Sequence, residues 1–156
     1  MARMNGYTHK NTKIKKDAMC FITSDGYFNH GHYAVLISDE IKQSNPMLFT
    51  VEQRDLDTSS LIGDITRYEP AEYEHIIQRQ YEGKPYEYLF IRSKENGRSA
   101  YINRQYTDTL LTLHPLSEPH ILDDRHPIVF KNGPGHVTGL IMPVIIEDSP
   151  EDKVSK

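Results

Sequence analysis

Apolar residues in this chain come in short runs broken by Gly, Pro, Asn and Asp, the pattern of a strand-rich domain with tight turns. Residues 19–24 and 32–38 read as two strands around the turn-rich segment Asp25-Gly26-Tyr27-Phe28-Asn29-His30-Gly31. Residues 47–53 read as a third strand, followed by the polar stretch 55–60, and residues 61–66 as a further short strand. Residues 70–81 read as a helix. Pro70 suits a first helical turn, Glu72 and Glu74 complement the N-terminal dipole, and Gly83 follows the end. Tyr73, Ile76, Ile77 and Tyr81 then share one face at helical spacing.

Downstream, residues 86–91 and 98–102 flank Glu95-Asn96-Gly97, an Asn-Gly turn that closes a hairpin. Asn103 is placed to cap a second helix from Arg104 to Leu113, with Tyr106, Leu110 and Leu113 on its inner face and Pro115 after its end. Strands at 119–122, 127–131 and 136–146 follow. The last, HVTGLIMPVII, is nearly all apolar, as in a strand covered on both faces. A short amphipathic helix must lie across the sheet made by these strands. The expected fold is therefore α+β: two layers, a strand-rich sheet and two short helices.

Length and composition narrow the picture. A chain of 156 residues with 37% hydrophobic content, 10 Tyr and 5 Phe fits one globular domain rather than a disordered chain. No boundary divides residues 17–146, and 147–156 form a polar tail. Residues 1–16 carry Arg3, Lys10, Lys13, Lys15 and Lys16 with no acid, which leaves 13 basic and 22 acidic side chains on the rest of the chain. This arrangement suggests a flexible basic arm on an acidic body, able to contact the phosphates of a nucleic acid. The N-terminus lacks the apolar core of a secretion signal, and no apolar run reaches membrane-helix length. With Cys20 the only cysteine, no internal disulfide is possible, and the cytoplasm is the expected compartment. Cys20 sits in an apolar run and reads as a small core residue rather than a nucleophile.

The eight histidines raise the question of metal or hydrolytic chemistry. His30 and His32 could be two ligands, joined by Asp123, Asp124 or His126, yet no second element has the spacing of a known site. His136-Val137-Thr138 is half of the paired His-x-Thr motif of two-histidine phosphoesterases, and the second half is missing, since Tyr-Ala follows His32. Tyr27, Phe28 and Tyr33 near these histidines could stack on bases, although turn composition explains their clustering equally well. No cofactor and no metal is expected.

One segment carries a resemblance. Tyr101-Ile102-Asn103 leads into Tyr106-Thr107-Asp108-Thr109-Leu110-Leu111, Pro127-Ile128-Val129-Phe130 follows, and the run closes on Gly139-Leu140-Ile141-Met142-Pro143-Val144. In this order the residues resemble the last βαβββ repeat of a bacterial DNA sliding clamp, over about residues 101–146. Ile22-Thr23-Ser24-Asp25-Gly26 is similar to a clamp segment that ends a strand. The resemblance implies a non-catalytic, clamp-like binding module tied to DNA replication or its partner proteins, with Met142, Pro143 and Val144 lining an apolar pocket for a partner's peptide. The chain departs from the clamps in length, in its few basic helix residues, and in the Ile145, Ile146 and acidic tail that follow Met-Pro. Two other readings stand beside it. One is a small phosphoesterase or metal-dependent hydrolase using His30, His32, Asp123, Asp124 and His136. The other is a small regulatory or inhibitory protein that binds a host factor. A protein partner or a second copy of the chain is expected, and no membrane.

Overall fold

The computed structural model describes residues 20–146. Strands β1 (Phe21–Ile22), β2 (Tyr27–Asn29) and β3 (Tyr33–Leu36) come first, followed by helix α1 (Asp39–Ser44), a 3-10 turn at Pro46–Thr50, helix α2 (Ser59–Ile62) and a second 3-10 turn at Ile65–Arg67. Strands β4 (Glu69–Pro70), β5 (Glu72–Tyr81), β6 (Lys84–Arg92) and β7 (Ser99–Asn103) lead into helix α3 (Arg104–Leu113). The described chain closes with β8 (Glu118–Ile121), β9 (Ile128–Lys131) and β10 (Val137–Ile141). Seven strands form one sheet in the order β1-β2-β3-β10-β9-β8-β4, and β5-β6-β7 form another. The paired strands run antiparallel throughout. The fold is α+β and strand-rich, as expected from the sequence.

The C-terminal half follows the expected order of strand, helix and three strands. The Asn103 carboxamide accepts the Tyr106 N–H at 3.1 Å and starts α3 where the sequence places it. Leu110 and Leu111 are fully buried among Ile102 and Leu89 of the small sheet and Phe130 and Ile141 of the large one. The helix thus lies against both sheets. Gly139 of β10 makes this approach possible: a Cβ there would sit 2.6 Å from both the Ala34 carbonyl oxygen and Leu110 Cδ1.

Four expectations are corrected. Residues 70–81 are not a helix but the edge strands β4 and β5. A β-bulge between Tyr73 and His75 inserts one residue, so buried Tyr73 and exposed Ile76 fall on the same face although they are three residues apart. That spacing imitates a helical stripe. Pro70 is tolerated because β4 is the outermost strand of its sheet. The expected strand over 47–53 is replaced by a 3-10 turn at Pro46–Thr50, with Thr50 Oγ1 donating back to the Met47 carbonyl, and only Gln53 at its end makes a parallel bridge, to Ile22. Residues 61–66 split between α2 and the second 3-10 turn at Gly63, whose φ of 72° breaks any extended run. The last strand ends at Ile141 rather than 146, because Pro143 has no N–H to continue the ladder.

The helices therefore number three among the described residues, not two, and α1 had no signature. Its cap is conventional, with Ser38 accepting the Ile41 N–H, but it buries none of its residues. No helix among the described residues is long and apolar enough to cross a membrane. The basic arm 1–16 and the tail 147–156 lie outside the described residues.

Candidate partner-binding surface

The Met142-Pro143-Val144 segment passes from one sheet to the other. The Met142 N–H donates to the His32 carbonyl at 2.9 Å, still within the large sheet. Two residues later the Val144 N–H donates to the Tyr101 carbonyl at 2.9 Å, on the open edge of β7. Pro143 lies between these two anchors, and its missing donor is what releases the chain from the first ladder. All three residues are half-buried, and Ile145 after them is 71% exposed.

Val144 thereby joins a cross-strand row. His75 of β5 is opposite Phe90 of β6, Phe90 is opposite Tyr101 of β7, and Tyr101 is opposite Val144. Directly opposed residues share a face. The rings touch along the row, with His75 stacked on Phe90 at 4.8 Å and Phe90 tilted against Tyr101 at 4.9 Å. Ala100, Ile102, Leu89 and Ile91 alternate with these residues and point into the core. The row therefore occupies the outward face of the small sheet. Further along the same face, Ile77 is opposite Tyr88, Arg79 opposite Tyr86, and Tyr81 opposite Lys84. Burial raises the Tyr88 phenol's pKa, and the neighbouring phenols add to the shift.

On the other side of Met142 lies a second aromatic group. Tyr33 and Tyr106 stack at 4.8 Å, His30 stacks on Tyr33 at 5.1 Å, and His32 lies parallel to Tyr106 at 6.2 Å. The two histidines of the β2–β3 turn thus pack against rings at the start of α3. A cleft of about 460 Å³ opens elsewhere, between the β5–β6 hairpin and the first turns of α3. Gln78, Pro85, Glu87, Arg104 and Asp108 line it, and none of residues 142–144 does. Arg104 is held inside by Glu87 at 3.2 Å and by the buried Asp108 at 3.9 Å.

The residues of the hydrolytic reading are not gathered into one site. His136 precedes β10, at the end of the large sheet opposite to His30 and His32. Asp123 and Asp124 lie in the β8–β9 loop at the same end as His30 and His32, but β10 separates β9 from β3. Asp123 is occupied locally. Its carboxylate accepts the N–H groups of Arg125 and His126 at 2.8 Å each and lies 2.9 Å from His126 Nδ1. Desolvation opposes these bonds, yet they hold its pKa down at about 2. The Thr138 hydroxyl of the His-x-Thr pair is fully buried, bonded to Ser117 Oγ at 2.6 Å and donating to the Phe130 carbonyl. Among the described residues no three His, Cys, Asp or Glu side chains are grouped so as to hold a metal ion. Cys20 is buried, as its apolar neighbours indicated.

Asp25, in the turn between β1 and β2, ties two loops together. Its carboxylate accepts N–H bonds from Thr58 and Ser59 at the start of α2. Burial pushes its pKa up, but these bonds and that from Thr23 outweigh the burial and lower it.

The aromatic face of the small sheet escaped the sequence reading because 70–81 read as a helix. The available signal was the turn after it, since Glu82 and Gly83 both have positive φ, 53° and 78°, as a type I′ hairpin requires. No protein-family model, no curated protein and no solved structure matches the chain.

Proposed function

We propose that the chain is a non-catalytic, clamp-like binding module associated with DNA replication or its partner proteins, in which Met142, Pro143 and Val144 contact an apolar peptide of the partner. The observation that carries this reading is the switch at Pro143. It leaves Met142 and Val144 half-buried at the seam between two sheets, beside the Tyr33–Tyr106 stack on one side and Tyr101 on the other. A flexible thioether next to rigid rings adapts to varied apolar side chains. Each Å² of apolar surface removed from water contributes about 25 cal/mol, so a few anchors suffice for micromolar binding once association entropy is subtracted.

The test is Met142→Ala, measured by calorimetric titration with a peptide bearing the short apolar motif by which replication proteins dock on sliding clamps. The variant weakens binding by ~1–2 kcal/mol and melts close to the wild type, because a half-buried Met at a seam is only partly packed. A loss of roughly 2–5 kcal/mol of stability, with no binding by the wild type, would identify Met142 as core and refute the reading.

A further inference from the structure

We infer that the outward face of the β5-β6-β7 sheet, toward its hairpin tip, binds single-stranded nucleic acid. This inference is independent of the peptide reading, since it uses side chains remote from Met142 and needs no resemblance to any family.

The first observation is aromatic supply. Tyr81 and Tyr86 are 49% and 36% exposed, and their rings lie 5.9 Å apart on one face. His75, also exposed, extends the same face at the edge strand, with Phe90 stacked behind it. Soluble domains seldom display several rings together on one sheet surface without a ligand for them. Flat rings arrayed on a β-sheet are the platform on which unpaired bases stack, whatever their sequence.

The second observation is charge. Residues 17–156 carry a large acidic excess, yet the outward positions from His75 to Lys84 hold no carboxylate and two cations, exposed Lys84 and half-buried Arg79, whose guanidinium also donates to the Gln78 carbonyl at 2.9 Å. The nearest acids are Glu82 in the turn itself, Glu87 on the reverse face, which is paired with Arg104 at 3.2 Å, and, at the far end of the sheet, Glu72 and Glu74. The latter two are neutralised in ion pairs with Lys94 at 3.2 Å and Arg92 at 3.0 Å. Cations interleaved with aromatics on an otherwise acidic molecule fit a ligand of phosphates and bases better than an apolar peptide, which has no use for them.

The third observation is extent. The face runs over the outer half of two long strands, roughly 20 Å at about 3.3 Å per residue, enough for several nucleotides in extended form. Bases would rest on Tyr81, Tyr86 and His75, and Arg79 and Lys84 would meet the phosphates between them.

The experiment is fluorescence anisotropy of the full chain with labelled oligothymidylate and oligouridylate of about 12 nucleotides, within the site sizes of single-strand binding folds. The wild type binds both, and a duplex of the same length competes poorly. Tyr81→Ala and Tyr86→Ala each weaken binding at least about fivefold, with the melting temperature kept. Arg79→Gln with Lys84→Gln flattens the slope of log K against log salt by about 1.4, the value for two phosphate contacts on a single strand. The Lys84 change alone, at the exposed hairpin end, gives half that effect and serves if the tyrosine variants do not fold. Neutralising Lys10, Lys13, Lys15 and Lys16 leaves the tyrosine effect in place. The inference is overturned if the wild type does not bind, if the tyrosine changes leave binding intact, or if they abolish peptide binding instead. Unaltered Met142→Ala binding of the oligonucleotide is expected, so failure here and failure of the peptide reading are separately visible.

Discussion

The two sheets of this protein are built from similar residues and covered very differently. The large sheet is closed on both faces. Tyr33, Val35, Phe130 and Ile141 face α3 and the small sheet, and Ala34, Val129 and Leu140 on the reverse are covered by Ile62, Ile65 and Tyr68 from the α2 region. The small sheet shares the first of these cores through Leu89, Ile91 and Ile102, but on its outward face, where Tyr88 is buried, His75, Tyr81 and Tyr86 are exposed. Aromatic side chains on a closed face contribute stability. On an open face they remain available to a ligand. The comparison places the stability of the molecule around α3 and β10, and the surfaces proposed for binding on the small sheet and the segment joining the two.

The largest expected effect strikes the closed side. Leu110→Ala empties a site fully buried between the sheets and costs roughly 2–5 kcal/mol, read as a shift in the urea midpoint. Gly139→Ala should follow at about 1–3 kcal/mol, since the new methyl group must displace either the Ala34 carbonyl or Leu110. Near-wild-type stability in both would mean that α3 does not rest on β10 as described. Tyr86→Ala on the open face changes stability by only about 0.5 kcal/mol in either direction, the range of ordinary surface substitutions. A loss as large as that of Leu110→Ala would show that this face is covered, and the contrast between the sheets would vanish.

The same contrast explains what could be read from the sequence. The segment from Tyr101 onward was legible because α3 carries an unbroken stripe, a capping Asn103 and a stop at Pro115, and because β8 to β10 are buried runs between turns. The β4–β5 stretch was not, because one bulged residue converts a two-residue period into a three-residue step, and Tyr73, Ile76 and Ile77 then imitate a helix. Residues 39–44 set only the half-buried Ile41 against the core, so no apolar period exists there to detect. Of the candidate site, Val144 was named from the sequence, but its row through Tyr101, Phe90 and His75 depends on strand register, which single-chain periodicity does not encode.

A further small effect concerns acid. Asp123 is held at about 2 by its bonds to the backbone of Arg125 and His126 and to the His126 ring. Because its pKa is depressed relative to an unfolded value near 3.9, it contributes stability that is present above that value and lost as pH falls toward 2. Solvent screening of this half-open loop limits the term to roughly 1 kcal/mol or less. Asp123→Asn should therefore lower neutral stability by up to that amount and flatten the acid limb of a stability–pH curve, the two proteins converging in acid. An unaltered acid limb would assign the loop no part in it.

The central claim, that binding belongs to the open sheet and the sheet-switching segment, is tested most directly by mapping backbone amide shifts in the labelled full chain while partner peptide is added. The account predicts changes centred on Met142, Val144, Tyr101 and Phe90, with the β8–β9 loop around Asp123 and the His136 turn silent. Shifts concentrated at His30, Asp123 and His136, with residues 142–144 unmoved, would contradict it.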